Sequence, residues 1–252
     1  MRAEEVKQPP AASPFQKIQA PILLFLFFWA SQGMNFLHLP RLFLPAETLN
    51  AHPWIGVYEG HVWELAFALA FMGIATRGNF SQWGFNFNNS RLSWSILWKF
   101  CIVFLLIVIA WNVVPALLSH QMTLGIFGPP TLLNILAWLF FEWLLGGFAE
   151  EVMFRGLIQT RLMETWSGIW RLGRLEIPHA GVVTTVLFCL AHVDPFHAPH
   201  LYWPQQLFAF GLGLYYSIVR HRTGSLLNPI LAHGFGDGII VSAMYLLYFA
   251  LR

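Results

Sequence analysis

Charged residues are scarce in this sequence. Only 10% of the 252 residues are Asp, Glu, Lys or Arg, whereas a soluble globular domain carries about 25%. Hydrophobic residues make up 57% of the chain and aromatic residues 17%, and aromatic side chains are favoured at membrane interfaces. The composition therefore excludes an ordinary soluble domain and predicts a helical protein that crosses a membrane several times.

Cysteine and net charge are also low. The two cysteines, Cys101 and Cys189, both lie in apolar stretches, so we expect small buried side chains rather than a disulfide or a cysteine metal site. The formal net charge is +2, which gives no indication of a nucleic-acid partner. The partners that this composition does predict are membrane lipids.

Apolar runs separated by proline and glycine fill most of the chain. A membrane-spanning helix needs about 20 mostly apolar residues. Seven segments meet this condition, at about 18–39, 61–77, 96–119, 131–163, 179–196, 204–220 and 226–250. The sequence therefore predicts an all-α, polytopic transmembrane helix bundle of about seven to eight helices, with residues 18–252 as a single integral-membrane domain.

Basic residues are unevenly distributed between the two sides of the predicted bundle. If the N-terminus is cytoplasmic, only Arg41 and Arg252 of the 14 lysines and arginines fall on the opposite side, as the positive-inside rule requires. We therefore expect an integral protein of the cell inner membrane, in which residues 1–17 form a disordered cytoplasmic tail. The fourth segment is longer than the ~30 Å hydrocarbon core, so its cytoplasmic end is expected to protrude as a basic, amphipathic extension.

Polar residues inside the apolar segments are few and fall mainly in three of them. Ionisable side chains within a membrane face the bundle interior and mark functional sites. The fourth segment carries Glu142, Glu150, Glu151 and Arg155, the fifth carries His192, and the seventh carries Asn228, His233 and Asp237. His61 and Glu64 lie at the start of the second segment, where we expect them to be solvated at the interface.

The spacing of these residues indicates which of them can pair with each other. Glu151 and Arg155 are four residues apart, as are His233 and Asp237, which places each pair on one helix face. Glu151 and Arg155 can therefore neutralise each other, whereas Glu150 points away and lacks that partner. A buried carboxylate of this kind suits a general base.

Gly234 and Gly238 form a small-x-x-x-small face on the seventh segment. Faces of this type allow close helix approach in membranes. We expect this face to bring the helix that carries His233 against the helix that carries Glu150.

Two classes of function fit these residues. One is hydrolysis, in which a glutamate and a histidine activate water. The other is a proton-coupled transporter that uses the same groups as a relay, or a non-catalytic membrane scaffold. Transporters commonly contain internal repeats, and the absence of an evident repeat counts against that class.

Three short motifs carry a resemblance to a known family. They are EEVMFR at 150–155, FCLAH at 188–192 and HGFGD at 233–237. In this order, on separate hydrophobic segments, they resemble the CAAX prenyl protease and bacteriocin-processing family of intramembrane peptidases. The similarity covers about residues 130–240, the protease-like core. It implies a CAAX protease-like hydrolase that acts on peptide or protein substrates, including lipid-modified ones.

The resemblance also implies roles for single residues. Glu150 would be the base that activates water, and His192 would share that water with it. Glu151 and Arg155 would orient the site.

His233 and Asp237 would stabilise the tetrahedral intermediate. An ionised aspartate cannot donate a hydrogen bond to an oxyanion. We therefore expect Asp237 to act through His233, by supporting an imidazolium that faces the developing negative charge.

The resemblance leaves two alternatives for the site, one with a zinc ion and one without a metal. Glu150, His192 and His233 would be the ligands of a zinc site with an open water position. The spacing is not the His-Glu-x-x-His of helical zinc peptidases, and a water activated by glutamate and histidine needs no metal. We expect no required cofactor, with a metalloprotease-like zinc site as the alternative. His197 and His200 are expected to be ordinary loop residues, with a second metal site as the weaker interpretation.

Overall fold

Helices form most of the computed structural model, which describes residues 12–35, 37–193 and 203–252. The helices are α1 (Pro14–Asn35), α2 (Leu39–Phe43), α3 (Ala46–Ala51), α4 (Trp54–Thr76), α5 (Ser90–Ser119), α6 (Leu132–Leu162), α7 (His179–Ala191), α8 (Trp203–Thr223) and α9 (Leu227–Ala250). Short 3₁₀ turns occupy Phe80–Trp83 and Gly125–Phe127. Each of the seven predicted segments corresponds to a helix.

Four helical stretches are long and apolar enough to cross a membrane. They are Pro14–Phe43, Ser90–Ser119, Leu132–Leu162 and Leu227–Ala250, and α7 is a shorter apolar helix. The predicted helical membrane bundle is therefore confirmed. α1 begins at Pro14, so the end of the predicted tail is helical, and residues 1–11 lie outside the described part of the chain.

A β-hairpin that the sequence did not predict connects α6 to α7. It consists of β1 (Ile169–Leu172) and β2 (Leu175–Pro178), which pair antiparallel. Gly173 in the turn has φ +61°, a conformation that glycine adopts without steric cost. Strands of four residues carry too little periodicity to be recognised in a sequence.

α6 positions the central residues of the bundle. Thr131 caps its first turn by accepting a hydrogen bond from the Asn134 backbone N–H at 3.3 Å, directly after a proline pair. The helix contains π-helical turns at Phe141–Leu145 and Val152–Ile158. The regular α-helical stretch between them is Gly146–Glu151, which holds both neighbouring glutamates. π-helical turns of this kind are frequent at functional sites.

The last third of α6 lies in the protein core. Every residue of Val152–Ile158 is buried. Phe154 packs against Phe28 of α1 and Phe188 of α7, with ring centroids 5.3 Å and 5.1 Å apart. The prediction that this end protrudes as an amphipathic extension is therefore wrong. Helices α1, α4 and α7 surround it, and Leu162 at its end is fully buried.

Candidate active site

Helices α6 and α9 approach each other closely at glycines. A Cβ atom added to Gly147 would lie 2.9 Å from the backbone nitrogen of Gly234, and one added to Gly234 would collide with the carbonyl oxygen of Trp143. A Cβ atom on Gly238 would collide with the Trp143 ring. The predicted glycine face is confirmed, since it brings α9 directly against α6.

Glu151 connects two of the three motifs. Its Oε1 accepts a hydrogen bond from Arg155 Nη1 at 2.8 Å, and both side chains are fully buried. The same oxygen lies 2.8 Å from His233 Nδ1 on α9. The predicted pair of Glu151 and Arg155 is therefore present, and Glu151 also fixes the position of the α9 histidine.

Arg155 extends this network to α7 and α8. Its Nη2 donates to the backbone oxygen of Gly213 at 3.0 Å. Its guanidinium carbon lies 4.4 Å from the Phe188 ring centroid and 5.3 Å from that of Tyr216, distances typical of cation–π contacts. A Cβ atom on Gly213 would lie 3.1 Å from Arg155 Nη2, so the absence of a side chain there makes room for the arginine.

The second nitrogen of His233 faces two carboxylates. Nε2 lies 3.1 Å from Asp237 Oδ2 and 3.7 Å from Glu150 Oε2, while Nδ1 faces Glu151. Ionised carboxylates only accept hydrogen bonds. The ring can therefore donate from both nitrogens only as an imidazolium.

Glu150 has a partner that the sequence did not predict. Its Oε1 lies 3.2 Å from Nε2 of His61 on α4, and His61 Nδ1 lies 2.8 Å from the backbone oxygen of Val57. The expectation that His61 and Glu64 are solvated at the interface is wrong. α4 begins at Trp54 rather than near 61, so both side chains lie inside the helix instead of at its end.

Glu64 is buried on the same face of α4. It is 2% exposed, and its Oε2 accepts a hydrogen bond from Gln32 Nε2 of α1 at 3.3 Å. The signal that identifies this pair is the three-residue spacing of His61 and Glu64, which places both on one helix face.

His192 stands at the C-terminal end of α7. Its Nδ1 lies 2.8 Å from the Phe188 backbone oxygen. A carbonyl oxygen accepts, so Nδ1 carries the hydrogen, and Nε2 of the neutral ring is left as an acceptor. His192 lines a cavity of about 260 Å³.

The same cavity contains the reactive ends of the other motifs. Glu150, His192, His233 and Asp237 all line it, together with apolar side chains from α5 and α8. Glu151 is buried beneath it with Arg155. The fold thus brings together residues that lie far apart in the sequence.

The predicted zinc ligands are Glu150, His192 and His233. Among the described residues, no group of three or more His, Cys, Asp or Glu side chains is arranged to hold a metal ion. Both nitrogens of His233 face carboxylate oxygens, so this ring offers no free lone pair as it is placed. The zinc site of Glu150, His192 and His233 stays a prediction. His197 and His200 lie outside the described residues.

Comparison with protein families finds a match for part of the chain. Residues 132–239 match the family described as type II CAAX prenyl endopeptidase Rce1-like. Over this segment the chain is similar to the Rce1-like family. The resemblance drawn from the three motifs is therefore confirmed over nearly the predicted range. Comparisons with curated proteins and with solved structures found no match.

The Rce1-like segment accounts for most of the site but not for all of it. It includes α6, α7 and α8 and extends through Asp237 of α9. The Rce1-like family is a protease family, so the match supports a membrane peptidase. His61 and Glu64 lie outside this segment, and α4 therefore adds to the site from a part of the chain that the match does not cover.

Proposed function

We propose that the protein is an intramembrane endopeptidase that hydrolyses peptide bonds with a water molecule activated by Glu150 and His192. The observation that carries this proposal is the cavity of about 260 Å³ shared by Glu150, His192, His233 and Asp237. These four ionisable side chains come from α6, from α9 and from the end of α7. General-base attack of water is favoured by such a convergence of proton acceptors with a positive charge.

The acceptor pair is Glu150 and His192. A water in the cavity can donate one hydrogen to the Glu150 carboxylate and the other to Nε2 of His192, whose Nδ1 is already committed to Phe188. As the water oxygen bonds to the peptide carbonyl carbon, Glu150 takes its proton. That proton then passes to the leaving amine as the carbon–nitrogen bond breaks.

The stabilising positive charge is that of His233. Its imidazolium is held between Glu151 and Asp237, and it lies beside the cavity in which negative charge develops on the carbonyl oxygen. Fixed charges of this kind commonly supply a large part of the stabilisation in acyl transfer. Asp237 acts through His233, since an ionised carboxylate cannot itself donate to the oxyanion.

Three further residues hold this arrangement. Glu151 and Arg155 fix His233 from beneath the cavity. His61 is a positioning residue for Glu150, because its contact with Oε1 turns Oε2 towards His233 and the cavity. We propose that the reaction requires no cofactor. The cleavage assay also tests the zinc alternative.

The substrate class follows from the family and from the location of the cavity. We propose a peptide or protein substrate, including lipid-modified ones, that reaches the cavity from the membrane. The distribution of basic residues supports a cytoplasmic N-terminus in the cell inner membrane.

The test is a cleavage assay with purified protein in detergent against a pooled peptide library. The variants are Glu150→Gln and His192→Ala, and Glu164→Gln is the matched control. Glu164 is exposed in the turn that follows α6, where it pairs with Arg161. We expect both site variants to lose cleavage without a change in the thermal unfolding temperature, and the control to cleave normally.

Each assay is also run with phenanthroline. If cleavage is unchanged, the result supports a water activated without a metal. If the chelator abolishes cleavage and added zinc restores it, the result supports the zinc alternative. If Glu150→Gln cleaves as well as wild type, the proposed peptidase mechanism is wrong. If the well-folded wild type cleaves no member of the library or of a prenylated set, the transporter or scaffold interpretation is favoured.

A further inference from the structure

The hairpin between α6 and α7 has one apolar face. In its register, Trp170 pairs with Ile177 and Leu172 pairs with Leu175. Cross-strand partners in a hairpin lie on the same face, and successive residues alternate between faces. These four side chains therefore form one continuous apolar face, which we call the hairpin face.

The hairpin face is largely uncovered. Trp170 is 55% exposed, Leu172 is 65% exposed and Leu175 is 39% exposed. An isolated two-stranded hairpin is only marginally stable in water, so exposing this much apolar surface to solvent would be costly. The opposite face carries an ion pair between Arg171 and Glu176, with Arg171 Nε 3.2 Å from Glu176 Oε1.

Two contacts and one direct chain connection place the hairpin level with the ends of the membrane helices. The linker that follows α6 is tied to the start of α1, because Trp166 Nε1 donates to the backbone oxygen of Lys17 at 3.0 Å. The Trp170 ring lies 4.6 Å from the ring of His179, the first residue of α7. β2 leads into α7 without an intervening loop. The hairpin therefore lies beside the start of α1 and the end of α6, two helices that are long and apolar enough to cross a membrane.

The charges of the hairpin complement an anionic membrane surface. Arg174 is exposed in the turn at the distal end of the hairpin, and a tryptophan lies on the apolar face. Tryptophan is favoured at the headgroup level. Each arginine near an anionic leaflet contributes about 1 kcal/mol, which corresponds to about a fivefold change in an equilibrium constant.

We propose that the hairpin face inserts into the headgroup region of the same bilayer, and that Arg174 in the turn binds anionic lipid headgroups there. The occupant is the membrane itself, since the hairpin is tethered at its surface on both sides. This interaction is independent of the peptidase reaction. It would anchor the linker between the helix that carries Glu150 and the helix that ends at His192.

The first experiment measures the depth of each face. The full-length protein with Cys101→Ala and Cys189→Ala receives a single spin label at Leu172→Cys or Leu175→Cys, on the hairpin face, or at Glu176→Cys, on the opposite face. It is reconstituted in phosphatidylcholine vesicles that contain phosphatidylglycerol. We expect labels at 172 and 175 to relax with oxygen and to be shielded from a water-soluble nickel chelate, and the label at 176 to show the reverse.

The second experiment tests the headgroup contact. Arg174→Gln is compared with Arg77→Gln, an exposed arginine at the end of α4, each with the label at 172. We expect Arg174→Gln to shift the equilibrium between inserted and exposed hairpin by about fivefold towards exposure. The shift should vanish in pure phosphatidylcholine, and Arg77→Gln should show none.

The outcomes distinguish the occupants of the hairpin face. Equal nickel accessibility at 172, 175 and 176 would overturn insertion. Shielding of 172 only when peptide substrate is added would assign the face to the substrate and also overturn it. Insertion that does not depend on phosphatidylglycerol would overturn the arginine contact.

Discussion

Two adjacent glutamates have different surroundings, and those surroundings decide what each can do. Glu151 is fully buried, and its Oε1 contacts both an arginine and a histidine. Glu150 lines the cavity and contacts histidines from α4 and α9. A carboxylate committed to an ion pair is a poor base, whereas one that reaches a cavity can accept a proton from water.

His61 provides a test of how Glu150 is positioned. A hydrogen bond to a charged group contributes about 1.5–3 kcal/mol, so we expect His61→Ala to lower kcat by about 10- to 100-fold. KM should change little, because His61 does not line the cavity. His61→Gln keeps a side-chain N–H and should recover part of kcat.

Steady-state kinetics and thermal unfolding on both variants check this role. If His61 were purely structural, His61→Ala and His61→Gln would lower the thermal unfolding temperature equally, and glutamine would not recover kcat. Unchanged kcat in His61→Ala would contradict the role.

Arg155 tests the buried ion pair. Removing one partner of a buried pair costs about 3–5 kcal/mol, because the other charge is left uncompensated. We expect Arg155→Ala to lower thermal stability strongly, because Glu151 would keep only His233 as a partner for its buried charge. Arg155→Gln combined with Glu151→Gln should be more stable than Arg155→Ala alone, since no unpaired charge remains. Thermal unfolding in detergent measures both, and normal stability with full activity in Arg155→Ala would refute the pair's role.

At the scale of helices, glycines set the distance between α6 and α9. The contacts of His233 with Glu150 and Glu151 need this close approach. Overpacking a buried contact costs about 1–3 kcal/mol. We therefore expect Gly234→Ala to lower stability by that amount and to reduce cleavage by displacing His233.

The matched control is Gly33→Ala on α1, where a Cβ atom would meet nothing within 4 Å. Alanine in a helix interior is favoured over glycine by about 0.5–1 kcal/mol, so this control should be neutral or slightly stabilised. Thermal unfolding and the cleavage assay measure both variants. Equal behaviour of the two would show that the glycine contact is not required.

Across the whole molecule, the length of the apolar runs predicted the long helices, and the resemblance to a known family identified the three motifs. The i,i+4 spacing identified Glu151 with Arg155, because both residues lie on one helix. The partner of Glu150 could not be found this way, since His61 belongs to another helix and its contact depends on tertiary packing. The hairpin was missed because four-residue strands leave no periodic pattern.

The Rce1-like segment should therefore not suffice by itself. We expect residues 122–252, expressed without the rest of the chain, to lack cleavage, because α1 and α4 cover the buried end of α6 and α4 supplies His61. Co-expression of residues 1–121 should restore cleavage, since the break falls in the loop between α5 and α6. Co-expression with the same piece carrying His61→Ala should restore only the activity of the intact His61→Ala variant. Membrane extracts of the three strains, assayed with the same peptide, measure this. Full cleavage by residues 122–252 alone would show that the site is complete without α4.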